Sequence, residues 1–198
     1  MSTSPIAMLE PETGLTPAAR GRLGMYCLIV AEAAIFTIFV VAYLFYLGKS
    51  VSGPTPREVL HFPFAMTICL LSSSVSIHLA VGSLRKGRIA PFFLLWLLTL
   101  ALGIAFVFGT ALEWQHLIYN EGLTLQTNLF GTTYYSLVGL HAFHVIVGLL
   151  GLSVVWLLTL LGHLKREHAG RVDVLAIYWH FVDTVWIVVL LVVYVIGR

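Results

Sequence analysis

The sequence predicts an all-α integral membrane protein, a bundle of five transmembrane helices with its N-terminus cytoplasmic and its C-terminus outside. Three observations carry that expectation. Hydrophobic residues make up 59% of the 198-residue chain and charged residues 10%, where soluble domains average about 45–50% and about 25%. Apolar segments recur at about 24–47, 62–84, 91–112, 132–161 and 174–196, each as long as the roughly 20 residues a helix needs to cross hydrocarbon. The connecting loops alternate in charge. Arg20, Arg22, Arg85, Lys86, Arg88, Lys165, Arg166 and Arg171 fall on one side, and Lys49, Arg57 and Arg198 on the other. The positive-inside rule makes the first side cytoplasmic.

Residues 1–23 read as a polar tail, punctuated by Pro5, Pro11 and Pro17 and carrying Glu10, Glu12, Arg20 and Arg22. They lack the apolar run and cleavage site of a secretory signal. The domain proper is expected over 24–197. Span one carries Glu32, about eight residues in and roughly 12 Å deep at 1.5 Å per residue. A carboxyl there is expected to be protonated or paired. It reads either as a proton-handling group or as a protonated acid bonded to a neighbouring helix or lipid. Span two carries His78 at a similar depth, which leaves a Glu32–His78 contact open if the first two spans are neighbours. Ser72, Ser73, Ser74 and Ser76 surround His78 and read as small residues that let helices approach closely.

Span three ends near Glu113 and His116, an i, i+3 pair expected to be solvated, and the following loop 113–131 has no Lys or Arg. Span four is long enough to tilt or project past the bilayer. It contains Gly139-Leu140-His141-Ala142-Phe143-His144-Val145. His141 and His144 share a helix face, so haem or metal ligation has to be weighed. A metal centre needs three or four ligands with supporting partners, and a haem needs axial ligands from facing spans. The depths of His78, His141, His144 and His180 do not coincide in that way, so interhelical polar contacts are the expectation for all four. Span five opens with Trp179-His180-Phe181-Val182-Asp183-Thr184-Val185-Trp186. His180 and Asp183 stand at i, i+3. They read as a proton relay or ion pair, or as a tie from this span to its neighbours, His144 among them.

Several classes are set aside. A net charge of +2 without a basic stripe does not suggest a nucleic-acid partner. Cys27 and Cys69 both lie in apolar spans and read as packing residues. Nucleophilic triads, phosphate loops and paired catalytic carboxylates are not seen.

Taken together, these residues resemble subunit III of the haem–copper oxidase superfamily. The resemblance runs from about residue 20 to 197. It is carried by Arg22-Leu23-Gly24-Met25, Ala31-Glu32-Ala33, Ser73-Ser74-Val75-Ser76, Glu113-Trp114, the His141/His144 segment and Tyr178 through Trp186, in that order. It places Glu32 on the family's intramembrane carboxylate. The long form of that subunit has two further helices ahead of the segment that begins at Arg22, so the chain is expected to be of the five-span form. That form is similar to short bacterial subunits III of cytochrome c and quinol oxidases and to an accessory protein of nitric oxide reductases.

The resemblance implies an accessory chain of an oxygen-reducing, proton-translocating complex in the bacterial plasma membrane. It would carry no redox centre, with haem and copper in partner subunits. It would pack on subunit I, near subunit II and a small subunit IV, hold structural phospholipids and support proton uptake. A supercomplex with a reductase is compatible with it. Two readings of other classes stand beside it. One is a stand-alone proton transporter using Glu32. The other is a b-type cytochrome with histidine ligands.

Overall fold

The computed structural model describes residues 16–197. Residues 1–15 of the expected tail and Arg198 lie outside them. Five helices in the described residues are long and apolar enough to cross a membrane. Helix α1 covers Pro17–Tyr46, starting well before the expected span at 24. The reason is local: the Thr16 hydroxyl accepts from the Ala19 backbone N–H at 3.3 Å, and Pro17 occupies the first helical position, where its missing N–H costs nothing. The chain turns at Gly48, whose φ of 72° favours glycine, and makes the single turn α2, Pro56–Val59. There Glu58 accepts from the Thr55 backbone N–H at 2.9 Å, and this bond holds the Glu58 carboxyl below its ordinary range.

Helices α3, Phe64–Arg85, and α4, Ile89–Tyr119, form a hairpin closed by Gly87 at φ 73°. The end of α4 departs from expectation. The loop expected from 113 is helical to Tyr119, because hydropathy falls there but no Gly or Pro interrupts the run before Gly122. Helix α5 covers Leu129–Leu160, capped by the side-chain Oδ1 of Asn128, which accepts from the Gly131 N–H at 2.8 Å. The Asn128 amide also donates to the carbonyls of Ser52 and Pro54, tying two loops together at that end of the bundle. Helix α6, Ala169–Leu190, continues as π-helical turns over Leu191–Ile196.

The spans pack as a closed ring in the order α1–α6–α3–α4–α5 and back to α1, with α5 and α6 also touching across the middle. Helix α6 is therefore the most enclosed span and α1 the most outward-facing. Arg20, Arg22, Arg85 and Asp173 lie at one end, called here the basic end.

Three indoles fill the centre: Trp96, Trp179 and Trp186. Each N–H is satisfied, Trp96 on the Leu152 carbonyl at 2.9 Å, Trp179 on Ser73 Oγ at 2.8 Å and Trp186 on Thr67 Oγ1 at 3.2 Å. The ring of Trp179 fits between α4 and α5 because Gly103 and Gly148 carry no Cβ. A Cβ at either would stand 2.9 Å from that ring.

Candidate functional site

The polar residues of the spans fall into separate groups, and their pairing differs from that expected. Glu32 does not meet His78. The ring order puts α1 between α5 and α6, so Glu32 faces α5. Its Oε2 lies 3.1 Å from His144 Nε2. The His144 ring is nearly buried, while the Glu32 side chain keeps 24% of its exposure. Phe36, one turn on from Glu32, packs its ring 4.9 Å from that of His144, and Phe143 meets the same ring edge-on at 5.7 Å.

The other nitrogen fixes the proton count. His144 Nδ1 is 2.7 Å from the Leu140 carbonyl oxygen, which can only accept, so Nδ1 carries a hydrogen. Nε2 then accepts from a protonated Glu32, or donates as imidazolium to a Glu32 carboxylate. Either way the pair holds one proton between two atoms 3.1 Å apart. Chemically this is a carboxyl that remains neutral overall in hydrocarbon yet can shift a proton to an adjacent base.

His180 and Asp183 share a face of α6 but do not bond each other. His180 Nδ1 is 2.6 Å from Ser74 Oγ on α3. The oxygens of Asp183, 3% exposed, have no hydrogen-bond partner among the described residues. The expected tie from Asp183 to His144 is absent, because Glu32 occupies that imidazole. His78 lies beside His180, with ring centroids 6.5 Å apart, and makes no described hydrogen bond. His141 is enclosed and stacks on Trp186 at 5.2 Å, with Phe106 edge-on at 5.7 Å. Neither of its ring nitrogens has a hydrogen-bond partner among the described residues. The interhelical polar contacts expected at His141 and Asp183 are therefore not hydrogen bonds. At His141 aromatic stacking replaces them.

Two further groups were missed by sequence reasoning. Asp173 accepts from Arg22 at 2.7 Å and from Arg85 at 2.6 Å, clamping α1, α3 and α6 at the basic end. Arg85 counted only toward topology, and Arg22 toward topology and the family resemblance. At the opposite end Tyr194 donates to Glu113 Oε1 at 2.9 Å and lies 3.3 Å from the Tyr134 hydroxyl, so Glu113 is half-buried and bonded, not solvated. The signal for it was the projection of α4 past the apolar run.

No cluster of three or more His, Cys, Asp or Glu suited to a metal ion occurs among the described residues. The geometry is that of a helical scaffold whose spans are joined by separate polar contacts.

Comparison with known proteins agrees with that picture. Residues 16–198 match the family model for cytochrome c oxidase subunit III. The chain is similar to a protein named cytochrome c oxidase subunit 3 of Synechocystis sp., 39% identical over 177 residues, covering 87% of this chain and 74% of the relative. It is 30% identical over 195 residues to the protein of the same name from Alkalihalophilus pseudofirmus, covering 95% and 92%. It is also 31% identical over 182 residues to the cytochrome bo(3) ubiquinol oxidase subunit 3 of Pseudomonas aeruginosa, covering 88% and 84%. A match that takes in all five spans, Glu32 and the whole Trp179–Trp186 segment means that the chain belongs to the cytochrome c oxidase subunit III family.

Proposed function

We propose that this chain is the accessory subunit III of a haem–copper respiratory oxidase in a bacterial plasma membrane. It packs on subunit I, alongside subunit II and a small subunit IV, and leaves haem and copper to those partners. It stabilises the complex and holds structural phospholipids. The family match over residues 16–198 supports this reading more than any other single observation. The basic end faces the cytoplasm, a reading that the charge of the loops supports. Glu32, with its proton shared with His144, supports proton uptake by the complex.

Relatives carry both cytochrome c oxidase and quinol oxidase names, so the electron donor is a property of the partner chains. An accessory role of the same kind in a quinol oxidase or a nitric oxide reductase is the alternative.

The test is purification of the tagged chain from its own membranes in mild detergent. A haem-containing multisubunit complex with one copy of this chain supports the reading. A colourless monomer that moves protons in liposomes would contradict it and favour a stand-alone transporter using Glu32. A Soret band in the isolated chain would favour a cytochrome.

A further inference from the structure

The Glu32–His144 pair leaves the α3–α6 seam unexplained. These helices run antiparallel, and each turns one polar stripe toward the other. On α3 the stripe is Arg85, His78 and Ser74, and on α6 it is Asp173, His180 and Asp183. From the basic end inward the contacts are Arg85 to Asp173 at 2.6 Å, the His78 and His180 rings at 6.5 Å, and Ser74 to His180 Nδ1 at 2.6 Å. A cavity of about 160 Å3 opens between the helices there, lined by His78, Gly82, Arg85, Asp173 and His180 among others. Its lining is mixed, polar at His78, Arg85, Asp173 and His180 and apolar at Val81, Ala176 and Ile177, and it is large enough to hold water. Beyond His180 the stripe ends at Asp183, one helical turn further along the same face of α6, whose oxygens are unpartnered among the described residues.

We infer that the α3–α6 seam is a blind, water-filled proton path from the basic end to Asp183, a second proton-binding carboxyl independent of Glu32. His180 lines the cavity while its Nδ1 engages Ser74, which leaves Nε2 for water. A proton arriving on Nε2 makes the imidazolium. The Nδ1 proton then passes to Ser74 Oγ as the Ser74 hydroxyl proton passes to the Asp183 carboxylate, after a side-chain rotation closes the last gap. His180 ends neutral with its hydrogen on Nε2, Ser74 keeps a hydroxyl and Asp183 becomes a carboxylic acid. The reverse sequence returns the proton.

The groups around the path are few. On α3 they are His78 and Arg85, and on α6 Asp173. From α1, Arg22 reaches only Asp173 and Glu32 is held by His144. From α5, His141 is stacked on Trp186 without a hydrogen bond. Asp183 bonds to none of them. Trp179, Val182 and Trp186 around Asp183 are all buried, so the inferred path closes there. It stores and exchanges a proton and does not conduct one across the bilayer.

The test is infrared spectroscopy of the full chain in its native assembly, reading the carboxylic C=O band that Asp183→Asn removes. In the unaltered protein this band shifts promptly when the buffer is changed to D2O. Ser74→Ala slows the shift about tenfold or more, as loss of a relay group worth a factor of ten in rate requires. A second variant guards against disturbed packing. Nothing lies within 4 Å of a Cβ built at Gly82, so Gly82→Leu fills the cavity mouth and leaves every polar group of the relay in place. It slows the shift similarly. Exchange at the unaltered rate in both variants would overturn the path, and so would the lack of any Asp183-dependent band at every pH tried.

Discussion

Replacing Glu32 tests the proton assignment at His144 directly, because two substitutions that look alike should behave differently. In the structure His144 donates from Nδ1 to the Leu140 carbonyl at 2.7 Å, and Nε2 looks to Glu32 at 3.1 Å. Glu32→Gln keeps a donor, since its amide N–H can satisfy Nε2. With the shared proton on Glu32, the exchange trades one neutral hydrogen bond for another and should cost less than about 1 kcal/mol. Glu32→Ala removes the donor and strands a nitrogen on a ring that is only 7% exposed. An unsatisfied buried polar atom costs about 1–3 kcal/mol, or about 5- to 160-fold in the folded-to-unfolded ratio. The assay is reversible unfolding in mixed micelles, following tryptophan fluorescence, with a hydrophobic carbodiimide as a parallel probe. The carboxyl is partly exposed on the most outward-facing helix, so the carbodiimide should label the unaltered protein and neither variant. Equal destabilisation by Gln and Ala would refute the argument, because it would mean that Nε2 does not need a donor. Labelling that persists in Glu32→Gln would place the reactive carboxyl elsewhere.

Three other outcomes follow from the packing and the charges. Gly148→Val puts side-chain atoms where a Cβ already stands 2.9 Å from the Trp179 ring; thermal unfolding should show a loss of about 1–3 kcal/mol with altered tryptophan emission. Asp173→Asn breaks two ion pairs whose arginines are 44% and 56% exposed; unfolding at low and high salt should show a loss of no more than about 1 kcal/mol that shrinks as salt rises. Glu58 has a carboxyl held below its ordinary value of 4.5 by the Thr55 backbone bond. Its contribution to the α2 turn is therefore present above the unfolded value and lost as pH falls through the lower folded one. The Thr55 amide should keep its hydrogen-exchange protection through the mildly acidic range and lose it below, and Glu58→Gln should abolish that pH dependence.

What could be read from the sequence divides along a physical line. The five spans are legible because each must satisfy its own backbone in hydrocarbon, which demands long apolar runs. The Trp179–Trp186 segment is legible as a polar interruption of such a run. Which polar residue meets which is not. A pairing depends on how far each helix is rotated about its axis, and a helix apolar on all sides gives no stripe from which to read that rotation. Glu32 could therefore be assigned to the first span, yet its partner on α5 followed only from the ring order. Ser74 was read as a small packing residue, which Ser73 largely is, since Trp179 bonds it. One position further along, the same residue type meets His180 instead. The tail was misjudged at Thr16 and Pro17 because its polarity hid a good helix start. Glu113 was misjudged because a helix can run on into water after its apolar run has ended.

The central claim is that this chain supports chemistry carried by other chains, and the most direct measurement is oxygen consumption by the oxidase assembled without it. The account predicts an initial turnover rate close to that of the complete complex, followed by loss of activity with successive turnovers that re-addition of the chain prevents. Zero activity from the first turnover, or a rate that holds steady without the chain, would contradict it.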